Sequence, residues 1–187
     1  IQLHNHQPFA SGAGARGSFG EGLMVVKLDS LMFYSMQVCH LESVVEIEQL
    51  VFSNPWTKRD FEFALKRDNA YCRVVFVGEL LVGYVIGFFI KKEFHLADFS
   101  IHPNQQRQGL GRRTLEVLVG DLSTLAHVIS LEVRMSNVAA IELYKQFAFQ
   151  TMAIRKDYYT QPQEDALVML KPLQGKLSDW VTEALAG

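Results

Sequence analysis

The chain has 187 residues, 18 basic and 20 acidic side chains, a net charge of −2 and a hydrophobic fraction of 49%. At about 150 residues per domain this is one domain with some extra length, rich enough in apolar residues to build a packed core. The charge balance argues against a basic nucleic-acid coat, and the longest apolar run, Leu80 to Ile90, falls short of the roughly 20 residues that cross a membrane.

Residues 12–22 hold five glycines with few apolar side chains, and ordering such a stretch is entropically costly. Residues 1–28 are therefore expected to form a flexible tail. No basic region followed by a sustained apolar one opens the chain, so no secretory leader is expected. The two cysteines, Cys39 and Cys72, lack CxxC partners and fit a reducing, cytoplasmic setting. His4 and His6 stand without a ligand cluster, so no metal is expected.

Structure is predicted from Leu31. Leu31 to Met36 suits a strand. His40 to Val51 carries a broad apolar helical face through Leu41, Val44, Val45, Ile47 and Val51. Asn54-Pro55-Trp56 breaks it, and Thr57 caps a second helix running to about Arg67. Tyr71 to Val77 and Leu80 to Ile90 read as a hairpin turning at Gly78-Glu79. Phe94 to His102 is a further strand, ended by Pro103. A helix over Gly111 to about Leu125 places Leu115, Leu118, Val119 and Leu122 on one side. Strand Val128–Arg134, helix Val138–Phe147 and strands Phe149–Ile154 and Ala166–Leu170 follow. This order predicts a mixed α/β sheet under helices. Residues 174–187 read as an appended helical tail.

The segment from His102 to Arg113 is built for a diphosphate. A strand ends at Pro103, Gly109 and Gly111 let backbone approach a ligand, and a helix begins at once. Its first amides have no internal acceptor, and Arg107, Arg112 and Arg113 add positive charge. A P-loop would need Gly-Lys-Ser/Thr, and a dinucleotide fingerprint a glycine where Thr114 stands. An ordinary glycine-rich turn is the bland alternative.

Val128–Arg134 alternates, with Ile129, Leu131 and Val133 on one face and Ser130, Glu132 and Arg134 on the other. A carboxylate in the middle of an inner strand faces a cleft or pairs with a cation. Ser136 or Asn137 can cap the next helix, on which Tyr144 is either a core residue or a catalytic one.

The Gln106-x-x-Gly109-x-Gly111 form resembles the acyl-CoA signature of the GNAT (Gcn5-related N-acetyltransferase) superfamily. Leu131-Glu132-Val133-Arg134, Ser136-Asn137, Ala139-Ala140-Ile141 and Leu143-Tyr144 narrow the resemblance to the bacterial RimI-type peptide N-terminal acetyltransferases. So do Asn54-Pro55-Trp56, Arg155-Lys156-Asp157-Tyr158-Tyr159 and Glu164-Asp165-Ala166. The resemblance covers roughly residues 31–172. It implies an acetyltransferase domain over 29–173 with a mostly antiparallel mixed sheet, a splayed central parallel pair and flanking helices. It also implies acetyl-CoA as donor and, as acceptor, the N-terminal alanine of a small-subunit ribosomal protein.

By the same resemblance Glu132 is the general base and Tyr144 the general acid. Ser100, Ile101 and His102 hold the pantetheine arm, with an Ile101-region amide meeting the oxyanion. Gln108, Gly109, Leu110, Gly111, Arg112 and Arg113 hold the diphosphate, and Asn137 is a further cofactor contact. Trp56, Tyr158 and Tyr159 rim the acceptor end, or simply pack the helix junction and strand ends. Ala148 stands where the family closes the helix with glycine. Two other readings stay open: a GNAT acting on lysine side chains or small amines, and a non-catalytic acyl-CoA-binding module.

Overall fold

The computed structural model describes residues 31–178. The tail expected over 1–28 lies outside the described residues, as does most of the C-terminal one. Seven strands form one sheet, in the spatial order β1 (Leu31–Ser35), β2 (Ala70–Val77), β3 (Leu80–Ile90), β4 (Glu93–Ile101), β5 (Val128–Arg134), β7 (Gln163–Pro172), β6 (Gln150–Thr160). Helices α1 (Leu41–Val51), α2 (Lys58–Leu65), α3 (Leu110–Leu122) and α4 (Val138–Gln146) cover it. Every strand pair is antiparallel except β4–β5.

Periodicity assigns the two layers. On one face Leu41, Val44 and Ile47 of α1 and Phe61 and Ala64 of α2 pack on Cys72, Val74, Tyr84 and Ile86. On the other, Leu115, Leu118 and Leu122 of α3 and Ala140, Ile141 and Tyr144 of α4 cover Val85, Phe99, Ile101, Leu131 and Val133. Thr57 caps α2 as expected: its amide meets Asp60 Oδ2 at 2.7 Å while Asp60 N–H points back at Thr57 Oγ1, at 3.4 Å.

Several boundaries differ from the sequence reading. Helix α2 stops at Leu65 rather than near Arg67. Helix α3 stops at Leu122 rather than near Leu125, where Ser123 Oγ donates to the Gly120 carbonyl at 2.7 Å and competes with the helical ladder. Strand β6 runs on to Thr160 rather than Ile154 and β7 begins at Gln163 rather than Ala166, because no turn residue interrupts the polar run before Gln161-Pro162. Asp157, at φ 51°, lies in the irregular stretch between Arg155 and Tyr159 that absorbs the extra residues of β6.

The parallel pair positions the site. Strands β4 and β5 pair only at Glu93–Val128, Phe94–Ile129 and His95–Ser130. Beyond that the strands part, while β4 stays paired to β3 and β5 to β7. A wedge-shaped gap therefore opens in the middle of the sheet, walled by residues 96–101 and 131–134.

Candidate active site

The β4 wall presents backbone. The His102 amide donates to Val82 O at 2.8 Å on the β3 side. Antiparallel alternation then turns the Ile101 N–H the other way, into the gap. Ile101 O accepts from Gln106 Nε2 at 2.9 Å, which fixes the strand end against the loop. Ser100 is fully buried, and its Oγ finds no hydrogen-bond partner. The His102 side chain caps the following turn of 3-10 helix, accepting from Asn104 N–H at 3.2 Å. Burial pulls its pKa below the ordinary imidazole value.

The loop beyond turns sharply into α3. Gly109 is left-handed (φ 79°) and is the N-cap of α3, which starts at Leu110, one residue earlier than predicted. Arg107 is left-handed too, at φ 60°. Such residues turn neighbouring N–H groups into a concavity suited to anions. The first intrahelical bond runs from Arg113 N–H to Gly109 O at 3.0 Å, which leaves the amides of Leu110, Gly111 and Arg112 without helical acceptors. Gln108 Nε2 reaches Asn104 O at 3.3 Å and stiffens the loop. Arg112 and Arg113 both pair with Glu116, at 3.6 and 2.9 Å, so their charge is partly offset.

The β5 wall presents Glu132, only 6% exposed. One carboxylate oxygen sits 2.8 Å from Arg155 Nη1 of β6; the other lies 3.5 Å from His95 Nε2 of β4. Its main-chain carbonyl accepts from Tyr159 Oη at 3.3 Å. Tyr144 of α4 is fully buried and its hydroxyl has no partner. Burial first, then the neighbouring Tyr159 and Asp98, push its pKa well above the ordinary phenol value. It therefore holds its proton.

Asn137 is the N-cap of α4; its Oδ1 accepts from Ala140 N–H at 3.2 Å. Arg134 stacks 4.1 Å over the Tyr159 ring and pairs with Glu164 at 3.0 Å, while Ser136 N–H donates to Glu164 at 2.6 Å. The tip of the β6–β7 hairpin is thereby tied to the start of α4. Tyr159 is 6% exposed, with the Arg134 guanidinium over its ring. Tyr158 is half-buried and packs edge-on against it, with ring centroids 5.1 Å apart. Trp56 is half-buried and packs on Phe61 with centroids 5.3 Å apart; its amide donates to Glu48 at 2.7 Å.

Two features escaped the sequence reading. One is the His95–Glu132–Arg155 contact, which joins three strands. The other is a fully buried cluster of Glu48, Tyr84 and Asp98. The Tyr84 hydroxyl makes a short hydrogen bond to Glu48 and lies 3.4 Å from Asp98. Burial and the Glu48 charge raise the Asp98 pKa well above the carboxylate range. The available signal was polar residues in apolar positions: Glu48 lies seven residues after Leu41 on the buried face of α1.

A mixed sheet with one parallel pair that opens beside a glycine-rich helix start is the architecture of an acetyltransferase of the GNAT type. The GNAT acetyltransferase family matches over residues 41–149, and the chain belongs to it. Over 136 residues it is 34% identical to the ribosomal protein bS18 alanine N-acetyltransferase of Salmonella typhimurium, covering 71% of this chain and 91% of that protein. It is 35% identical over 138 residues to a putative enzyme of the same name from Bacillus subtilis, covering 72% of this chain and 91% of that protein. The crystal structure of the Escherichia coli ribosomal protein S18 alanine N-acetyltransferase superposes with a TM-score of 0.73 at 30% identity, covering 78% of this chain and 96% of that one.

Proposed function

We propose that the chain transfers acetyl from acetyl-CoA to the α-amine of a protein N-terminus, with the N-terminal alanine of a ribosomal protein of the bS18 type as acceptor. The observation that carries the reading is Glu132 on the wall of the opened β4–β5 pair, facing a strand whose Ile101 amide is free of the β3 ladder. The relatives named above support the acceptor.

The residues present fit the donor. Ser100 Oγ and Tyr144 Oη are buried without partners, and the amides at the α3 start lack acceptors, so a polar ligand in the gap would satisfy groups that the fold leaves unpaired. The β4 backbone at Ser100, Ile101 and His102 would hold the pantetheine arm. The loop from Gln108 to Arg113 would hold the diphosphate. With Oδ1 of Asn137 engaged in the helix cap, its contact falls to the amide nitrogen. Acetyl-CoA supplies the activated acetyl group as a thioester.

A peptide α-amine has a pKa of about 7.7–8.0 and is largely protonated near neutrality. Glu132 Oε2 removes that proton, directly or through a water. The Ile101 N–H stabilises charge developing at the acyl oxygen. The neutral amine bonds to the acyl carbon as the carbon–sulfur bond breaks; Tyr144 Oη, which burial keeps protonated, would deliver a proton to the departing sulfur, and the surplus proton left on the new amide nitrogen, passed on through solvent, would restore the phenol. Neither Cys39 nor Cys72 enters; burial pushes the Cys72 thiol up to about 11, away from thiolate chemistry.

The deciding experiment is kcat/KM for an Ala-starting peptide, for the same peptide N-terminally blocked with an internal lysine, and for spermidine. A lysine amine has a pKa of about 10.4, so far less of it is neutral near pH 7. The Ala peptide is expected to lead. If the lysine peptide or spermidine leads, the enzyme belongs to another GNAT branch.

A further inference from the structure

Tyr84 stands directly opposite Ser100 in the β3–β4 ladder, so its backbone is locked to the strand that walls the gap. Its side chain is fully buried under α1 and α2, edge-on to Phe61 with ring centroids 5.7 Å apart. The hydroxyl donates to Glu48 Oε2 of α1 in a short hydrogen bond, and the other Glu48 oxygen accepts from the Trp56 N–H at 2.7 Å. A buried polar path therefore runs from β4 through Tyr84 and Glu48 to the backbone between α1 and α2. Burying a carboxylate is costly even when it is hydrogen-bonded, and an apolar side chain would seat α1 on the sheet without that cost. What Glu48 adds is a fixed position for the Trp56 amide.

The segment so held borders the gap on the Glu132 face. Ser53 Oγ donates to the Gln161 carbonyl at 2.6 Å, and the same carbonyl accepts from Arg134 Nη2 at 2.9 Å. Arg134 lies two residues beyond Glu132 on the same face of β5, at the end where β4 and β5 have parted. The segment thus reaches from the layer over β2 and β3 to the tip of the β6–β7 hairpin, across the open end of the gap. Its two anchors differ in strength. The Gln161 bond is exposed, whereas Glu48 is fully buried, so the inner anchor is the firmer one.

We propose that Tyr84 and Glu48 are positioning residues for the acceptor: by fixing the Trp56 amide relative to β4, they set the opening through which the acceptor amine enters the gap, without touching it. This rests on the reading of the gap as the site of acetyl transfer. The donor is gripped by the β4 backbone, which the β3 ladder holds whether or not the Tyr84 hydroxyl is present. Loss of the path therefore costs the acceptor and spares the donor. Once the amine is seated the reacting groups are unchanged, so the loss falls on KM and not on kcat.

Tyr84→Phe cuts the polar path and keeps the ring against Phe61. We expect KM for the Ala-starting peptide to rise about tenfold, the weight of one buried hydrogen bond, with kcat and KM for acetyl-CoA within about twofold of wild type. In Glu48→Gln the side-chain carbonyl can still accept from the Trp56 N–H and the side-chain nitrogen can donate to Tyr84 Oη, so a near-wild-type KM is expected. Glu48→Leu, which fills the space and offers neither bond, should raise KM at least as far as Tyr84→Phe. A merely structural role would lower the melting temperature of Tyr84→Phe and leave its KM for peptide unchanged; that outcome overturns the proposal, as does a Glu48→Gln no better than Glu48→Leu. Amide exchange needs no turnover. The Trp56 N–H is expected to exchange slowly in wild type and about tenfold faster in Tyr84→Phe, with the amides of β3 and β4 unaffected. Fast exchange in wild type, or equal rates in the two proteins, removes the anchor. If wild type acetylates no peptide, the functional reading falls and the acceptor role with it; if it does and KM is unmoved in Tyr84→Phe, only the acceptor role falls.

Discussion

Arg155 reaches across from β6 to hold one oxygen of Glu132 at 2.8 Å, although the arginine side chain is 53% exposed and the carboxylate is almost wholly buried. The pairing is unequal. Arg155 alone would be well solvated in water, but its departure would strand a buried carboxylate that the strand holds in place. Glutamine at 132 keeps the shape and a hydrogen-bond acceptor for Arg155 but loses the charge. Glu132→Gln is accordingly expected to lower kcat by about 10²–10⁴-fold with acetyl-CoA affinity nearly unchanged. The deficit should shrink as pH rises through the α-amine pKa, about 7.7–8.0, because free amine then accumulates without a base. Steady-state rates from pH 6 to 9.5 with calorimetric titration of acetyl-CoA check both points.

Tyr144→Phe is expected to separate activity from stability. The hydroxyl is buried with no partner, so the fold bears its desolvation without return. Removing it should leave the melting temperature equal or higher while turnover falls by about 10²-fold or more. A melt and a peptide assay on one preparation suffice. A variant that keeps full activity would remove Tyr144 from the chemistry.

Gly109→Val addresses the cradle. Its left-handed conformation strains any L side chain, by about 1–2 kcal/mol, and relaxation of the turn would re-aim the amides at the head of α3. Acetyl-CoA affinity should drop at least tenfold, with circular dichroism showing a folded protein. Unchanged calorimetric affinity would remove the loop from the binding site.

Ala148→Gly should stabilise. Ala148 closes α4 at φ 62°, with Phe149 N–H returning to Tyr144 O at 3.1 Å in a Schellman-like wrap. Relief of alanine strain is expected to add about 1 kcal/mol, or about 2–4 °C in melting temperature for a domain of this size. Scanning calorimetry reads it.

Asp98→Asn tests the buried acidic cluster through pH. Burial raises the folded-state pKa of Asp98, so the native state favours the protonated acid. Its contribution is present in full below the unfolded value, near 3.9, and is lost as pH rises through the folded pKa. Asparagine removes that loss. The variant should gain melting temperature over wild type at pH 8 and gain less at pH 5. An equal shift at both would mean that Asp98 does not titrate in this range.

The strand–loop–helix around Gly109 and the alternating strand around Glu132 are legible in sequence because each is local: glycine spacing and a two-residue period are written along a few positions. Tyr144 is legible only through family resemblance, since helical spacing alone makes it a core residue, and it is buried as one. The long β6–β7 hairpin is hidden because Arg155-Lys156-Asp157 carries no strand signal on its own; β7 supplies the pairing. His95 and Asp98 are hidden for a related reason. Their partners lie on β5, α1 and β3, and only the assembled sheet brings them together. Tyr159, whose motif position left both an acceptor-rim and a packing reading open, is buried with Arg134 over its ring.

The three residue pairings that join β4 to β5 make the sheet two leaves bound along a short spine. Each leaf is well stitched internally, but the margin between them has little to resist a change of angle. A ligand lying along that margin, gripping main chain on one leaf and side chains on the other, adds the missing stitches. Its binding should be felt as stiffness across the whole sheet, so that slowed amide exchange in strands far from the ligand, rather than local protection alone, is the signature of a filled cleft.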